Sequence, residues 1–136
     1  MSFKNLFYSQ CDYELGEKIP GKGYFGTVYK IVNTKENQQY AIKIYYPNTN
    51  YDEVEQETII EKCFAIKELN HPAIIKFIGL SFISFESIRF QPSVITEYMP
   101  NGSLKSILKN PNARWNSTKK YICLLGISDA MRCLHQ

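Results

Sequence analysis

The sequence predicts an α+β fold: a five-stranded antiparallel sheet with one accompanying helix, followed by a segment built only of helices. Three observations predict it. Residues 13–46 read as strands separated by a polar turn, a helical pattern over residues 52–69 precedes two further strand-like runs, and the character turns helical past Met99-Pro100-Asn101-Gly102.

From Tyr13 onward the strand signals are compositional. Gly26-Thr27-Val28-Tyr29-Lys30-Ile31-Val32 is rich in β-branched and aromatic residues, Asn33-Thr34-Lys35-Glu36-Asn37 is turn-like, and Tyr40-Ala41-Ile42-Lys43-Ile44-Tyr45 alternates again. Three strands in a meander follow. Pro47 breaks the sheet, and residues 52–69 carry Asp52, Glu53, Glu55 and Glu57 in their first turns, where acids complement the helix dipole. An apolar stripe of Ile59, Cys63, Ile66 and Leu69, or of the neighbouring Ile60 and Phe64, marks the face to be buried. Asn70-His71-Pro72 ends this helix, because the residue before a proline is driven out of the α region.

Strands are next expected over Ala73–Phe82 and Ser93–Tyr98, joined by a segment with Ser-Phe-Glu-Ser and Gln-Pro punctuation. Ser103 can cap a short helix Leu104–Leu108, and Ser117 can cap a long one from Thr118 to about Leu134. In the long helix Ile122, Leu125, Ile127, Met131 and Leu134 are candidates for a buried face, yet the sequence holds little else to bury them. There is no internal repeat and no low-complexity segment.

A chain of 136 residues suits one compact domain or one and a fraction, and at 44% hydrophobic and 21% charged residues it has an ordinary globular composition. A net charge of +3 without charge runs offers no nucleic-acid stripe, so no nucleic-acid partner is expected. The four cysteines form no C-x-x-C pair; Cys123 and Cys133, ten residues apart on one helix, stand about 15 Å from each other, beyond disulfide reach. Reduced thiols, no signal peptide and no long apolar run together predict a soluble, cytoplasmic protein with no membrane partner. His71 and His135 lack neighbours at ligand spacing, so no metal site is expected within the chain. Tyr45, Tyr46 and Tyr51 suit a packed loop better than a base-stacking platform, and Trp115 suits packing at a helix start.

The stretch Gly21-Lys22-Gly23-Tyr24-Phe25-Gly26 has the spacing of a phosphate-cradling loop. A dinucleotide-binding loop would run from strand into helix and require an acid about 20 residues on, but here a strand follows and that neighbourhood holds Tyr45, Tyr46 and Pro47. A Walker loop is excluded because Lys22 precedes Gly23 and no G-K-[ST] occurs. The remaining option is a glycine-rich strand-turn-strand over ATP, which demands a lysine on the third strand. Lys43, in Ala41-Ile42-Lys43-Ile44, lies 17 residues after Gly26 in an apolar strand.

Gly21-x-Gly23-x-x-Gly26-x-Val28 followed by Ala41-Ile42-Lys43 resembles a eukaryotic protein kinase. Leu69-Asn70-His71-Pro72-Ala73-Ile74-Ile75 resembles the junction after the kinase regulatory helix, and Val94-Ile95-Thr96-Glu97-Tyr98-Met99 the fifth strand entering the hinge. Pro100-Asn101-Gly102-Ser103-Leu104 and the later Gly126–His135 are similar to the tyrosine-kinase-like branch, whose members are mostly serine/threonine kinases. The resemblance implies an N-terminal extension over residues 1–11, a small lobe over 12–98, a hinge over 99–102 and the start of a large lobe over 103–136.

It also implies an activity, transfer of the ATP γ-phosphoryl group to a protein hydroxyl, and a set of roles. Gly21, Lys22, Gly23 and Gly26 would bring backbone to the phosphates, with Phe25 lying over them. Val28 and Ala41 would pack on adenine, and Lys43 would position phosphate. Thr96 would be the gatekeeper, the backbones of Glu97 and Met99 would bond adenine, and Ser103 would cap its helix and reach the ribose. Counting back from His71 without gaps, the family's glutamate position falls on Lys62, and Glu61 is one residue early, a turn of about 100°. Glu61 pairs with Lys43 only if the helix is rotated or the junction carries an extra residue. With Lys62 facing Lys43 the active ion pair is absent, so a kinase and a non-catalytic interaction module both stay open. Pro20 before the first glycine is a further departure, better tolerated on an edge strand.

Neither His-Arg-Asp nor Asp-Phe-Gly occurs in the 136 residues, so the resemblance is to a kinase domain truncated before its catalytic loop. The Mg2+ ligands are accordingly expected outside the chain, no turnover is expected from the chain alone, and self-association is expected through the exposed face of the last helix.

Overall fold

The structure, a computed structural model, describes residues 12–20, 26–46, 58, 60, 61, 63, 65–83 and 90–135. The chain divides into two compact units, the first comprising Met1–Leu69 with Lys76–Tyr98 and the second Asn70–Ile75 with Met99–Gln136.

The first unit is built on five antiparallel strands, β1 (Tyr13–Lys18), β2 (Gly26–Asn33), β3 (Gln39–Tyr45), β4 (Phe77–Ile83) and β5 (Phe90–Glu97), in the order β1-β2-β3-β5-β4. The expected five-stranded sheet is therefore present. The β2–β3 turn is written into its sequence: Asn33 Oδ1 accepts from the N–H groups of Lys35 and Glu36 at 2.9 and 3.0 Å, and Asn37 takes the left-handed φ of 53° that asparagine tolerates.

Alternation gives the sheet two apolar faces. Tyr13, Ile31, Ile42, Ile44 and Ile95 bury one side, with Tyr29 and Tyr40 packed beside them. Complete burial of Ile31 and Ile42 contributes about 1.5–3 kcal/mol apiece. On the other side Cys63, Phe77 and Leu80 cluster with Ile60 and Val94. Cys63 and Ile60 belong to a helix, α1, that includes residues 58, 60, 61, 63 and 65–67. Of the expected stripe, Cys63 is buried while Ile66 is 40% exposed; Ile59 and Phe64 lie outside the described residues.

Two irregularities depart from the expected strands. β4 begins at Phe77 rather than Ala73, because residues 72–74 turn after His71-Pro72. A register shift between Phe77 and Gly79 then turns Phe77 and Leu80 to the same face, although they lie an odd three positions apart. β5 begins at Phe90 and contains Pro92, which the sequence suggested as a loop marker. Pro92 falls where β5 sets two residues, Gln91 and Pro92, against the single Phe82 of β4, between Ser81↔Ser93 and Ile83↔Phe90, so its missing N–H coincides with a break in the ladder.

In the second unit α2 (Leu104–Lys109) is capped by Ser103, as expected. Helix α3 (Ser117–Leu134) is capped by Asn116, whose Oδ1 accepts from the Lys119 N–H at 2.9 Å, so the cap lies one residue before the expected Ser117. Ala130 is its buried residue, and the apolar face is open, as the expected self-association surface requires, with Ile122 63%, Leu125 67%, Ile127 51%, Met131 48% and Leu134 51% exposed. Among its described residues this unit holds, besides α3, the 70–75 turn, one short helix and connecting chain, which leave the apolar side of the 18-residue helix uncovered.

Candidate functional site

In the first unit the registers assemble the expected site residues from three strands. Val28 stands opposite Lys43, and Lys43 opposite Val94; in the neighbouring row Lys30 stands opposite Ala41, and Ala41 opposite Thr96. Directly opposed residues project to one side of an antiparallel sheet, as do alternate residues along a strand. Val28, Ala41, Lys43 and Thr96 therefore share one face, the face on which Val94 meets α1.

Gly26 stands opposite Tyr45 at the start of β2 and is buried. An added Cβ would collide with the Ile44 carbonyl oxygen and lie 2.9 Å from the Tyr45 Cα, so only glycine lets the two backbones approach this closely. Gly21, Lys22, Gly23 and Phe25 lie outside the described residues.

Lys43 is half-buried, and its Nζ lies 4.8 Å from the centroid of the Tyr45 ring, a cation–π contact. Tyr45 follows two positions along the strand and so shares the lysine's face. Glu61 is exposed on α1 and forms no ion pair with Lys43 among the described residues; the side chain of Lys62 lies outside them. Gln91 closes the end of this face by donating from Nε2 to the Tyr45 carbonyl at 2.8 Å.

At the C-terminal end of β5, Thr96 is half-buried and its hydroxyl donates to the Glu97 carbonyl at 3.2 Å. Glu97 is tied to the approach to β4 twice: its N–H donates to the Lys76 carbonyl at 3.0 Å, and its Oε1 accepts from the Lys76 N–H at 2.6 Å. In the second unit Met99 is exposed and its carbonyl accepts from the Gly102 N–H at 3.1 Å. Ser103 Oγ accepts from the Ser106 N–H at 3.1 Å, so its hydroxyl serves the helix cap. Gly102, at φ 70°, supplies the left-handed residue that the chain needs just before that cap.

A further cluster joins the second unit to itself. His71 Nε2 lies 2.9 Å from Asp129 Oδ2, while Nδ1 accepts from the Ala73 N–H at 3.1 Å, an arrangement that assigns the proton to Nε2 in the neutral ring. Asp129 also accepts from Arg132 Nη2 at 2.7 Å and Nε at 3.1 Å. The hydrogen bonds from His71 and then Arg132 hold the Asp129 carboxyl below the usual carboxylate range, and burial pushes the Cys63 thiol up. An open groove of about 740 Å³ runs beside this cluster, bounded by Ala73, Leu104, Cys123 and Gly126.

The sequence model of the family described as protein tyrosine and serine/threonine kinase matches residues 13–136. The chain belongs to that kinase family. Its similar proteins include the cytokinesis protein sepH of Aspergillus niger, 37% identical over 73% of this chain and 7% of the relative. The human serine/threonine-protein kinase TNNI3K is 30% identical over 87% of this chain and 13% of its own length. The Arabidopsis thaliana MAP3K epsilon protein kinase 1 is 36% identical over 74% and 7% respectively. The chain thus spans less than a fifth of the curated relatives it matches.

Protein kinases use ATP and Mg2+ in general. Among the described residues no three His, Cys, Asp or Glu side chains are grouped to hold a metal ion, and no helix is long and apolar enough to cross a membrane. Three contacts escaped sequence reasoning. The Tyr45 ring under Lys43 was legible in the i, i+2 spacing, had the tyrosine been read with the lysine rather than with the loop. The Gln91 and Asp129 partnerships span 46 and 58 residues and carry no local signal.

Proposed function

We propose that the chain is the ATP-binding portion of a protein kinase that transfers the γ-phosphoryl group to protein serine or threonine hydroxyls. The carrying observation is that Val28, Ala41, Lys43 and Thr96 share one sheet face in two adjacent cross-strand rows. The small side chain of Ala41 leaves room beside Val28 for a flat ring, and Lys43 places a cation one row away. Gly26 lets β2 and β3 approach closely where the glycine-rich stretch enters the sheet, since a Cβ there would meet Ile44 and Tyr45.

When bound, ATP supplies the phosphoryl group, and the residues named here bind and orient it. Lys43 holds phosphate charge, Thr96 limits the depth of the adenine pocket, and the Glu97 carbonyl accepts from the adenine amino group. The adenine contact of Met99, the ribose contact of Ser103 and the phosphate contacts of Gly21, Lys22, Gly23 and Phe25 belong to the same proposal, as does a cytoplasmic location. The Mg2+ ligands and the catalytic base belong to motifs that these 136 residues do not contain. Association through α3 is also proposed, because Tyr121, Ile122, Leu124 and Leu125 are each at least 60% exposed.

A second reading, a non-catalytic interaction module, is supported by the sequence count that puts Lys62 at the family's glutamate position. A thermal-shift titration with Mg-ATP tests the nucleotide reading. The parent chain should gain stability with ligand and Lys43→Ala should gain much less; equal shifts, or none in the parent, would sink it.

A further inference from the structure

Charge that looks evenly spread along the sequence is segregated between the two units. The first carries 10 basic and 12 acidic residues, whereas the second carries six basic residues against the single acid Asp129, a net of +5. No Asp or Glu occurs between Glu97 and Asp129. Arg132 is taken up by Asp129, which leaves Lys105, Lys109, Arg114, Lys119 and Lys120 within 16 residues, all exposed. None of these five makes an ion pair among the described residues.

Their placement is electrostatically unfavourable for the isolated chain. Lys105 and Lys109 are four residues apart on α2, where like charges face each other along the helix. Lys119 and Lys120 occupy the first turns of α3 with no acid among them, at the end where the helix dipole is already positive and acids are favoured. Lys119 Nζ is turned back onto the Arg114 carbonyl at 3.0 Å, which holds this lysine and the preceding loop together. Repulsion of this kind is relieved by an anionic partner.

We infer that this surface docks an acidic polypeptide segment, rich in Asp and Glu, of a partner protein. Leu104 and Leu108 are 38% and 55% exposed on the helix that carries Lys105 and Lys109, so apolar contacts stand among the cations, as a polypeptide offers and a bare polyanion does not. Four of the five cations are lysines, point charges suited to scattered carboxylates rather than to bidentate phosphate recognition. Of the two aromatic rings within residues 105–121, Trp115 is half-buried and Tyr121 is exposed beside Lys120, a single open ring where stacking of successive bases needs several. The inference does not depend on nucleotide binding.

Fluorescence anisotropy with the full 136-residue chain tests it, using a labelled Glu- and Leu-containing peptide. A Lys-rich peptide of equal length, single-stranded RNA and anionic lipid vesicles serve as competing probes. The acidic peptide should bind, more weakly as salt rises. The triple variant Lys105→Glu, Lys109→Glu, Lys120→Glu should lose about tenfold or more in affinity. The milder triple Gln variant, checked by circular dichroism, should fall between, and Lys67→Glu in the first unit should bind as the parent does. Binding unchanged in the Glu and Gln variants, or preference for RNA or vesicles over the acidic peptide, would overturn the inference.

Discussion

His71 and Asp129, 58 residues apart, meet at 2.9 Å and join the turn after α1 to the long helix α3. The turn's own backbone enforces this pairing, because the Ala73 N–H occupies His71 Nδ1 and leaves Nε2 to donate. Asp129→Ala should therefore lower the thermal midpoint at neutral pH, by loosening the 70–75 turn from α3. Asp129 has its carboxyl held low by His71 and Arg132, so its contribution is present above the unfolded carboxylate value and lost as pH falls through the lower folded one. Melting curves of parent and variant should differ at neutrality and begin to converge only as pH falls below about 4; a constant difference into that acid range would contradict the assignment.

Lys43 rests on the Tyr45 ring and shares its face with Val28 and Ala41. Lys43→Met keeps the aliphatic stem and removes the charge. Its affinity for Mg-ATP, measured by isothermal titration calorimetry, should fall about tenfold or more, as loss of charge-assisted contacts to phosphate requires. Circular dichroism should show the fold unchanged.

Two substitutions probe the sheet from opposite directions. Leu80→Ala empties a fully buried position between sheet and α1 and should cost about 2–5 kcal/mol in urea denaturation. Gly26→Ala overfills the contact with Ile44 and Tyr45 and should cost about 1–3 kcal/mol. A neutral Gly26→Ala would mean that the β2 and β3 backbones are less closely apposed than found.

Cys63 is buried in the sheet–helix core with its thiol pushed up by that burial, whereas Cys123 and Cys133 are half-buried on α3. Alkylation at mild alkaline pH should modify Cys123 and Cys133 well before Cys63, with peptide mass spectrometry as the readout. Early modification of Cys63 would place α1 off the sheet.

The five-strand order of types along the chain, the cap at Ser103 and the residues that populate the candidate site were legible in sequence because each depends on near neighbours: alternation, turn chemistry and motif spacing. The family followed from glycines and a lysine read together. What sequence could not supply was register. Pro92 looked like a loop marker, and only pairing with β4 shows the strand continuing through it by way of an extra residue. The open face of α3, by contrast, was legible: periodicity put Ile122 and Leu125 on one apolar side and the sequence showed little else to bury them.

Residue identities alone therefore determined which groups the chain carries: a glycine-rich stretch, a strand lysine and an apolar sheet. Tertiary structure decided which of those groups meet. It set Lys43 beside Val28 and Val94, stacked it on Tyr45 and left Glu61 apart, and it brought Asp129 back to His71. The physical reason is range. Local propensity acts over a turn or a strand, whereas cross-strand register and the partner of a helix face are fixed by packing between segments tens of residues apart.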